Sequence, residues 1–395
     1  MNSYTINRRQ FLYLGTCSLC AGLTLGSPAF AAFEEATNNS SQGNQGSIFQ
    51  NDAPEELWEW SREAKFYQKS QQDASVTCTT CPNFCVLSPG DRSVCRSKVN
   101  KNGRLYTLCY GNPCAVHMDP VEKKPLFHFK PGSRVFSLAT TGCNFRCLNC
   151  QNWQISQSKP SEVRHQDMFP GEIIRAARNE GASCIAYTYS EPITFYEYML
   201  DTAQKAKSEG MDNLLISNGF INQDPLLKLC PYIDGANINL KAFSEEIYRT
   251  LNGGNLEPVL RTLKTLFDQG VHLEMTNLVI PGYTEDEDML KKMCNWILEN
   301  VGPDNPLHLL RFIPRYKLDK VSPTPVSTLK KFRKIAMQEG VRYVYIGNTN
   351  YSPGLNTFCH GCGELILERK GYILGENNLD GNSCKSCGTK IPGVW

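Results

Sequence analysis

Neither sign of charge prevails in this sequence: 41 Lys and Arg stand against 39 Asp and Glu, a formal net charge of +2 over 395 residues. No run of basic residues occurs, so the electrostatic footprint of a nucleic-acid binder or of a protein held on an acidic membrane is absent. Long apolar runs are absent as well. The stretch ending at Leu25 is broken by Gly15, Thr16, Ser18, Gly22 and Thr24 and is short for the about 20 residues a span needs. No later segment reads as a span. A partner must therefore be sought in local sites, and a chain of this length can bury one core of about 200–250 residues with smaller units attached.

Cysteine is what the sequence does have, 18 in all. Two of them, Cys17 and Cys20, lie in a leader. Residues 1–31 carry paired Arg8 and Arg9, then Phe11 and Leu12, the interrupted apolar stretch, and small residues Ala29 and Ala31 around a cleavage point. That order resembles a twin-arginine export signal, which would place the protein outside the cytoplasm by way of the twin-arginine machinery. The alternative is a membrane tether on a cytoplasmic or attached protein. Oxidising compartments pair cysteines as disulfides. Here most of the remaining cysteines instead fall into compact C-x2-C and C-x3-C groups, the spacing of metal or cluster ligands, and twin-arginine export serves proteins already folded around a cofactor.

Five segments follow from composition and pattern. After the signal, residues 32–75 read as a polar tether and one short helix over "APEELWEWSREAKFYQKS", with Leu57, Trp58 and Phe66 on its packed side. Residues 76–130 form a cysteine-rich module. Residues 131–350 alternate strand-like runs, "RVFSLATTG" through "PLHLLRFIP", with helical repeats such as Phe195, Tyr198, Met199, Thr202, Ala203 and Ala206, or Val259, Leu260, Leu263, Leu266 and Phe267. Four helices should stop at Gly181, Gly210, Gly270 and Gly340. Six βα units and a closing strand "VRYVYIGN" predict an α/β fold, a partial parallel (βα)6 barrel. Residues 351–395 carry Cys359, Cys362, Cys384 and Cys387 at zinc-ribbon spacing, a closed structural zinc site.

The segment "GCNFRCLNCQNW" raises the functional question. Cys143, Cys147 and Cys150 lie on the loop after the first barrel strand, at the C-terminal face where such folds do chemistry. Three thiolates suit three irons of a [4Fe-4S] cluster and leave the fourth open, as a catalytic site requires. A zinc site completed by a distant His or Cys is the competing reading. Upstream, Cys78, Cys81, Cys85 and Cys95 make a four-ligand set for zinc or an auxiliary iron–sulfur cluster, with Cys109 and Cys114 in reserve; a disulfide pair is the alternative. Cys184, Cys230 and Cys294 read as buried core thiols. His128 and His308 flank strands near the site, though a lone histidine is more often structural.

The spacing, the preceding strand and the six βα units resemble the radical S-adenosylmethionine (SAM) superfamily. The passage "DPVEKKPLFHFKPGSRVFSLATTGCNFRCLNCQNWQISQ", together with "AYTYSEPITFYEYMLDTA" and "GTKIPGVW", resembles the AmmeMemoRadiSam-system enzymes, which are similar to pyruvate formate-lyase activating enzymes. The resemblance implies that SAM fills the open corner and that reductive cleavage gives a 5'-deoxyadenosyl radical for hydrogen abstraction, possible substrates being a protein or peptide, with a low-potential electron donor. It also implies SAM-binding roles. Ser190 and Glu191 match the turn that receives the SAM amino group, with an N-cap at Ser190 as the alternative. Asn218 would face the ribose or form an Asn-Gly turn. Lys241 would meet the SAM carboxylate or a substrate anion, or be a solvated strand-end lysine. Asn239 departs from the family, standing where relatives place Asp, and Asn149 stands where an aromatic is common. A rival of another class is a non-catalytic iron–sulfur protein for electron transfer or redox sensing.

Overall fold

The computed structural model describes residues 46–395. Its core is one eight-stranded sheet: β1 (Ala115–Pro120), β2 (Arg134–Ala139), β3 (Cys184–Tyr187), β4 (Asp212–Ser217), β5 (Gly235–Asn239), β6 (His272–Val279), β7 (Leu307–Arg311) and β8 (Val344–Gly347). The strands lie side by side in chain order, β2 to β8 all parallel, while β1 pairs antiparallel with β2 from Ala115↔Ala139 to Pro120↔Arg134. Six helices cross between the parallel strands: α1 (Pro170–Asn179), α2 (Tyr196–Ser208), α3 (Gln223–Leu229), α4 (Glu257–Asp268), α5 (Glu287–Asn300) and α6 (Val326–Glu339). This is the predicted alternation, with β1 added. Central strands are buried along their length, as Cys184 to Tyr187 show, although polar side chains such as Asn237, Glu274 and Asn277 are buried among the apolar ones.

The helix stops fall where expected. Gly181, Gly210, Gly270 and Gly340 all have positive φ, and nothing else in the last turn of α6 could adopt the 116° of Gly340 without strain. On α2 the predicted face is buried, including Tyr198, Met199, Ala203 and Ala206. On α4 the stripe is Val259, Thr262, Leu263 and Leu266, but Phe267 is 42% exposed. One residue past Leu266 turns the ring by about 100° around the helix, away from the sheet.

The helix expected within residues 53–70 does not form. Arg62–Glu63 and Tyr67–Lys69 are strands instead, paired antiparallel with Arg104–Thr107 and with Val76–Cys78. Ladder bonds, one set to a neighbouring strand and one to a distant strand of the cysteine-rich segment, outweigh a weak helical pattern there. The signal assigned to residues 1–31 lies outside the described residues. Among the described residues no helix is long and apolar enough to cross a membrane.

At the C-terminus, Thr357–Phe358, Leu365–Lys370 and Ile373–Asn377 form a three-stranded sheet, and Leu379–Asp380 pairs with Ser383–Cys384. Their apolar side packs on Phe127, Tyr343 and Tyr345.

Candidate functional site

The loop carrying Cys143, Cys147 and Cys150 leaves the C-terminal end of β2. Gly142, with φ 98°, turns the chain, and its amide donates to the Ile155 carbonyl at 2.9 Å. The far side of the loop is zipped to the π-helical turn Tyr248–Asn252: Arg146 donates to the Asn252 carbonyl at 2.7 Å and Leu148 to the Leu251 carbonyl at 2.9 Å. Gly254 permits this approach, since a Cβ there would begin 2.1 Å from the Phe145 ring.

Donors converge on the sulfurs. The Phe145 amide lies 3.4 Å from Cys143 Sγ, the Asn252 side-chain N–H 3.3 Å from Cys147 Sγ, and the Asn218 side-chain N–H 3.9 Å from Cys143 Sγ. Such bonds favour thiolate and ligated sulfur. In the free thiols burial works the other way, pushing Cys143 well up and Cys150 to about 11. Asn149, beside Cys150, leaves its buried carbonyl oxygen Oδ1 without a partner, as does Asn252. Orphaned acceptors and sulfur-directed donors around three thiols are what a bound polar group would complete.

The three sulfurs are not drawn together as for one ion. Among the described residues the single group of three or more Cys, His or acidic ligand atoms lying mutually within 4.8 Å is Cys359, Cys362, Cys384 and Cys387. A tetrahedral zinc with sulfurs at about 2.3 Å sets them about 3.8 Å apart. The tail has that spacing, with Sγ–Sγ separations of 3.7 Å for Cys359–Cys387 and 3.8 Å for Cys362–Cys384. The wider loop set fits a group bringing one metal to each thiolate, so the donor set suits a [4Fe-4S] cluster.

The other predicted residues gather at the same edge of the sheet. Glu191 is 3% exposed and accepts three bonds, from Ser217 Oγ at 2.7 Å, the Asn218 amide at 2.9 Å and the Ile193 amide at 3.2 Å. Burial raises its pKa, opposed by these bonds and by the Lys241 charge. Glu191, not Ser190, caps the turn Pro192–Phe195; the Ser190 hydroxyl donates to the Thr140 carbonyl at 2.7 Å. Asn218 is turned inward: its N–H bonds Asn144 Oδ1 at 2.8 Å and its carbonyl accepts from the Phe220 amide at 2.8 Å. Asn239 donates to the Ser217 carbonyl at 3.2 Å. Lys241 donates its backbone N–H to Tyr248 Oη at 3.1 Å, and its side-chain charge acts on both Glu191 and Cys150.

His128 and His308 are elsewhere. Glu274, near the N-terminal end of β6, accepts from the His128 amide at 2.7 Å and lies 2.6 Å from His308 Nε2 and 3.0 Å from His272 Nε2. His128 closes the network on the Pro392 carbonyl and Tyr345 Oη, each at 2.6 Å. Both histidines are satisfied structural groups. Cys184, Cys230 and Cys294 are buried as expected, and no cysteine among the described residues is disulfide-bonded.

Sequence reading missed Asn252 and Arg146, whose Nη1 holds the Cys143 and Phe145 carbonyls at 2.9 Å. It also missed the stack of Trp153 on Tyr316, with ring centroids 5.2 Å apart at 14°. The only local signal was the Asn-Gly-Gly turn at 252–254.

A three-cysteine loop at the carboxyl ends of a parallel sheet, rimmed by polar side chains from the next strands, defines a class. Residues 137–296 match the radical SAM superfamily model and form a domain of that superfamily. It is 45% identical over 334 residues to "Uncharacterized protein MJ0808" of Methanocaldococcus jannaschii, spanning 84% of this chain and 98% of that one. It is also homologous to pyruvate formate-lyase 1-activating enzyme of Escherichia coli K12, 26% identical over 232 residues, 54% of this chain and 93% of that one. Among solved structures, Streptococcus suis SuiB bound to S-adenosylmethionine aligns at a TM-score of 0.44 and 12% identity, over 61% of this chain and 56% of that one.

Proposed function

We propose that this protein is a radical SAM enzyme of the AmmeMemoRadiSam type that abstracts hydrogen from a protein or peptide. The observation that carries the reading is the loop itself: three cysteines with hydrogen-bond donors aimed at two of their sulfurs, beside Lys241 and Glu191. When bound, the cluster and SAM supply one-electron cleavage of the sulfonium to methionine and a 5'-deoxyadenosyl radical.

The chain's own residues bind and orient. Cys143, Cys147 and Cys150 would hold the cluster, with the Phe145 amide and the Asn252 side chain directed at two of the sulfurs. Lys241 offers a cation for the SAM carboxylate, and Ser190, Glu191, Asn218 and Asn239 shape the rest of the cofactor's bed. Because the Glu191 oxygens already accept three bonds, about one lone-pair site remains for an ammonium. The polar wall is therefore set before the ligand arrives, which lowers the cost of binding. The activating-enzyme relative names a protein as its target, which supports a polypeptide substrate. The sheet is read as a partial barrel, the tail as a zinc ribbon, and the leader as a twin-arginine signal.

The test is spectroscopic and then chemical. Adding SAM to the reduced, reconstituted protein should change the electron paramagnetic resonance signal of the cluster, and strong reductant should release 5'-deoxyadenosine and methionine. A signal indifferent to SAM with no 5'-deoxyadenosine would leave the electron-transfer reading in its place.

A further inference from the structure

Four more cysteines sit against the back of this loop. Cys78 ends the strand Val76–Cys78, and its amide bonds the Cys85 carbonyl at 2.9 Å; Cys81 lies on the turn between them, where Phe84 takes a φ of 41°. Cys95 lies on the next turn, its sulfur 3.1 Å from Ser93 Oγ. Cys78, Cys81 and Cys85 are buried, and all four line a single cavity whose opposite wall is Asn144, Ile193 and Thr194. Those three residues belong to the three-cysteine loop and to the turn after Glu191. A buried cation completes the surroundings: Lys98, 1% exposed, bonds Thr80 Oγ1 at 2.9 Å and Glu197 at 3.3 Å.

The spacing of these sulfurs decides what they would hold. In the same chain the tail shows what a preformed single-ion site looks like, four sulfurs mutually within 4.8 Å, and the set at 78–95 does not meet that limit even for three of its members. Closed around one tetrahedral ion, the sulfurs would have to stand about 3.8 Å apart. Four separated thiols around a cavity match a group that carries a metal for each of them. Their full number, four, leaves no corner open for a substrate.

The two cysteine sets touch through the residues on either side of Cys143. A Cβ on Gly142 would begin 2.5 Å from the Cys95 carbonyl oxygen and 2.3 Å from Ser97 Oγ. Asn83 donates its side-chain N–H to the Asn144 carbonyl at 2.9 Å, and Ser97 Oγ donates to the Thr141 carbonyl at 3.3 Å. Arg146 lies between, its charge felt by Cys85 and Cys95 on one side and by Cys143 and Cys147 on the other.

We infer that Cys78, Cys81, Cys85 and Cys95 hold a second, fully cysteine-ligated [4Fe-4S] cluster that exchanges electrons with a cluster on Cys143, Cys147 and Cys150. In the exchange a low-potential one-electron donor reduces the second cluster by one electron, which then passes to the first; no bond is made or broken, and the donor is left oxidised by one electron. The exchange rests on the proposed function, whereas the second cluster does not.

Three proteins, each reconstituted anaerobically as the full chain, separate the possibilities: the native chain, Cys143→Ala/Cys147→Ala/Cys150→Ala, and Cys78→Ser/Cys81→Ser/Cys85→Ser/Cys95→Ser. The native chain should bind about eight irons and each variant about four, with sulfide in equal amount. The loop variant should keep a reducible cluster whose spectrum ignores SAM. In the fully reduced native chain the two spins should broaden each other's resonances, as neither variant can show. A loop variant with no iron, or with a second zinc per chain, would overturn the second cluster; it does not depend on the folding of the four-serine variant. Two clusters without mutual broadening would overturn the exchange. A native chain whose two clusters both ignore SAM would instead defeat the proposed function and leave the second cluster standing.

Discussion

Asn252 donates its side-chain N–H to the sulfur of Cys147 at 3.3 Å, across 105 residues of chain. A hydrogen bond to a ligating sulfur disperses its negative charge and so favours the reduced cluster. Replacing the donor, as in Asn252→Asp, should make reduction harder. A bond of about 0.5–1.5 kcal/mol corresponds to a fall on the order of 20–60 mV for one electron. Redox titration of the SAM-free protein measures it, and an unchanged midpoint would mean that this bond does not reach the cluster.

Glu191 supplies a second test because it is a junction as well as a binding residue. Glu191→Ala strands three donors that now end on its oxygens, the Ser217 hydroxyl and the amides of Asn218 and Ile193. Part of that loss is recovered by water, so the expected cost is about 2–4 kcal/mol of folding stability. Thermal or urea unfolding without SAM should show it. A variant as stable as the parent would mean that the carboxylate serves the ligand alone.

The buried network around Glu274 predicts acid lability. Burial, against the opposing charge of Glu274, pushes the His128 pKa from 6.5 down to about 3. Arg369 and His272 also bear on this ring, and both disfavour its protonation. Below pH 6.5 the unfolded chain takes up a proton that the folded chain refuses, so stability falls as pH drops. Between pH 7 and pH 5 this amounts to about 2 kcal/mol. Glu274 acts in the same direction at lower pH: burial opposes its ionisation, but His272 and His308 outweigh that and hold it well below the usual carboxylate range. Its contribution is present above about pH 4.5 and is lost as pH falls through the folded value. Urea midpoints at pH 7 and 5 should show the fall, and it should shrink in His128→Asn, which cannot titrate there.

In the tail, Cys384→Ser should abolish binding of one zinc per chain, because it removes one of four sulfurs preset within 4.8 Å. Chelator should have the same effect on the native chain. Iron content should be unchanged in this variant; loss of iron together with zinc would tie the tail to the clusters.

Export is tested at the other end. Residues 1–45 fused to a folded reporter should carry it out through the twin-arginine route, and Arg8→Lys/Arg9→Lys should retain it inside. Equal export of the two fusions would rule out that signal.

Much of this was legible in the chain. The alternation from Arg134 to Gly347 was readable because buried parallel strands and amphipathic helices carry their periodicity within ten residues or so. The cysteine groups were readable because ligand spacing is local, and the glycine stops because a left-handed residue admits few substitutes. The segment 53–70 forms strands rather than a helix because a weak helical pattern says nothing about pairing partners, one of them the distant strand Arg104–Thr107 and the other the neighbouring Val76–Cys78. His128 and His308 were drawn toward the site by proximity to strands, whereas which end of a strand a residue occupies depends on where the strand begins.

By itself the sequence determined the class of fold and the grouping of the cysteines into one set of three and two sets of four, all of them patterns within short windows. Only the tertiary structure decided which of these sets become neighbours. Cys95 meets Gly142 across 47 residues and Asn83 meets Asn144 across 61, while the tail cysteines close on each other beneath Phe127 and Tyr345. The physical reason is that such contacts are selected by packing and by the need to pair every buried polar group, conditions on the whole folded chain that no local spacing records.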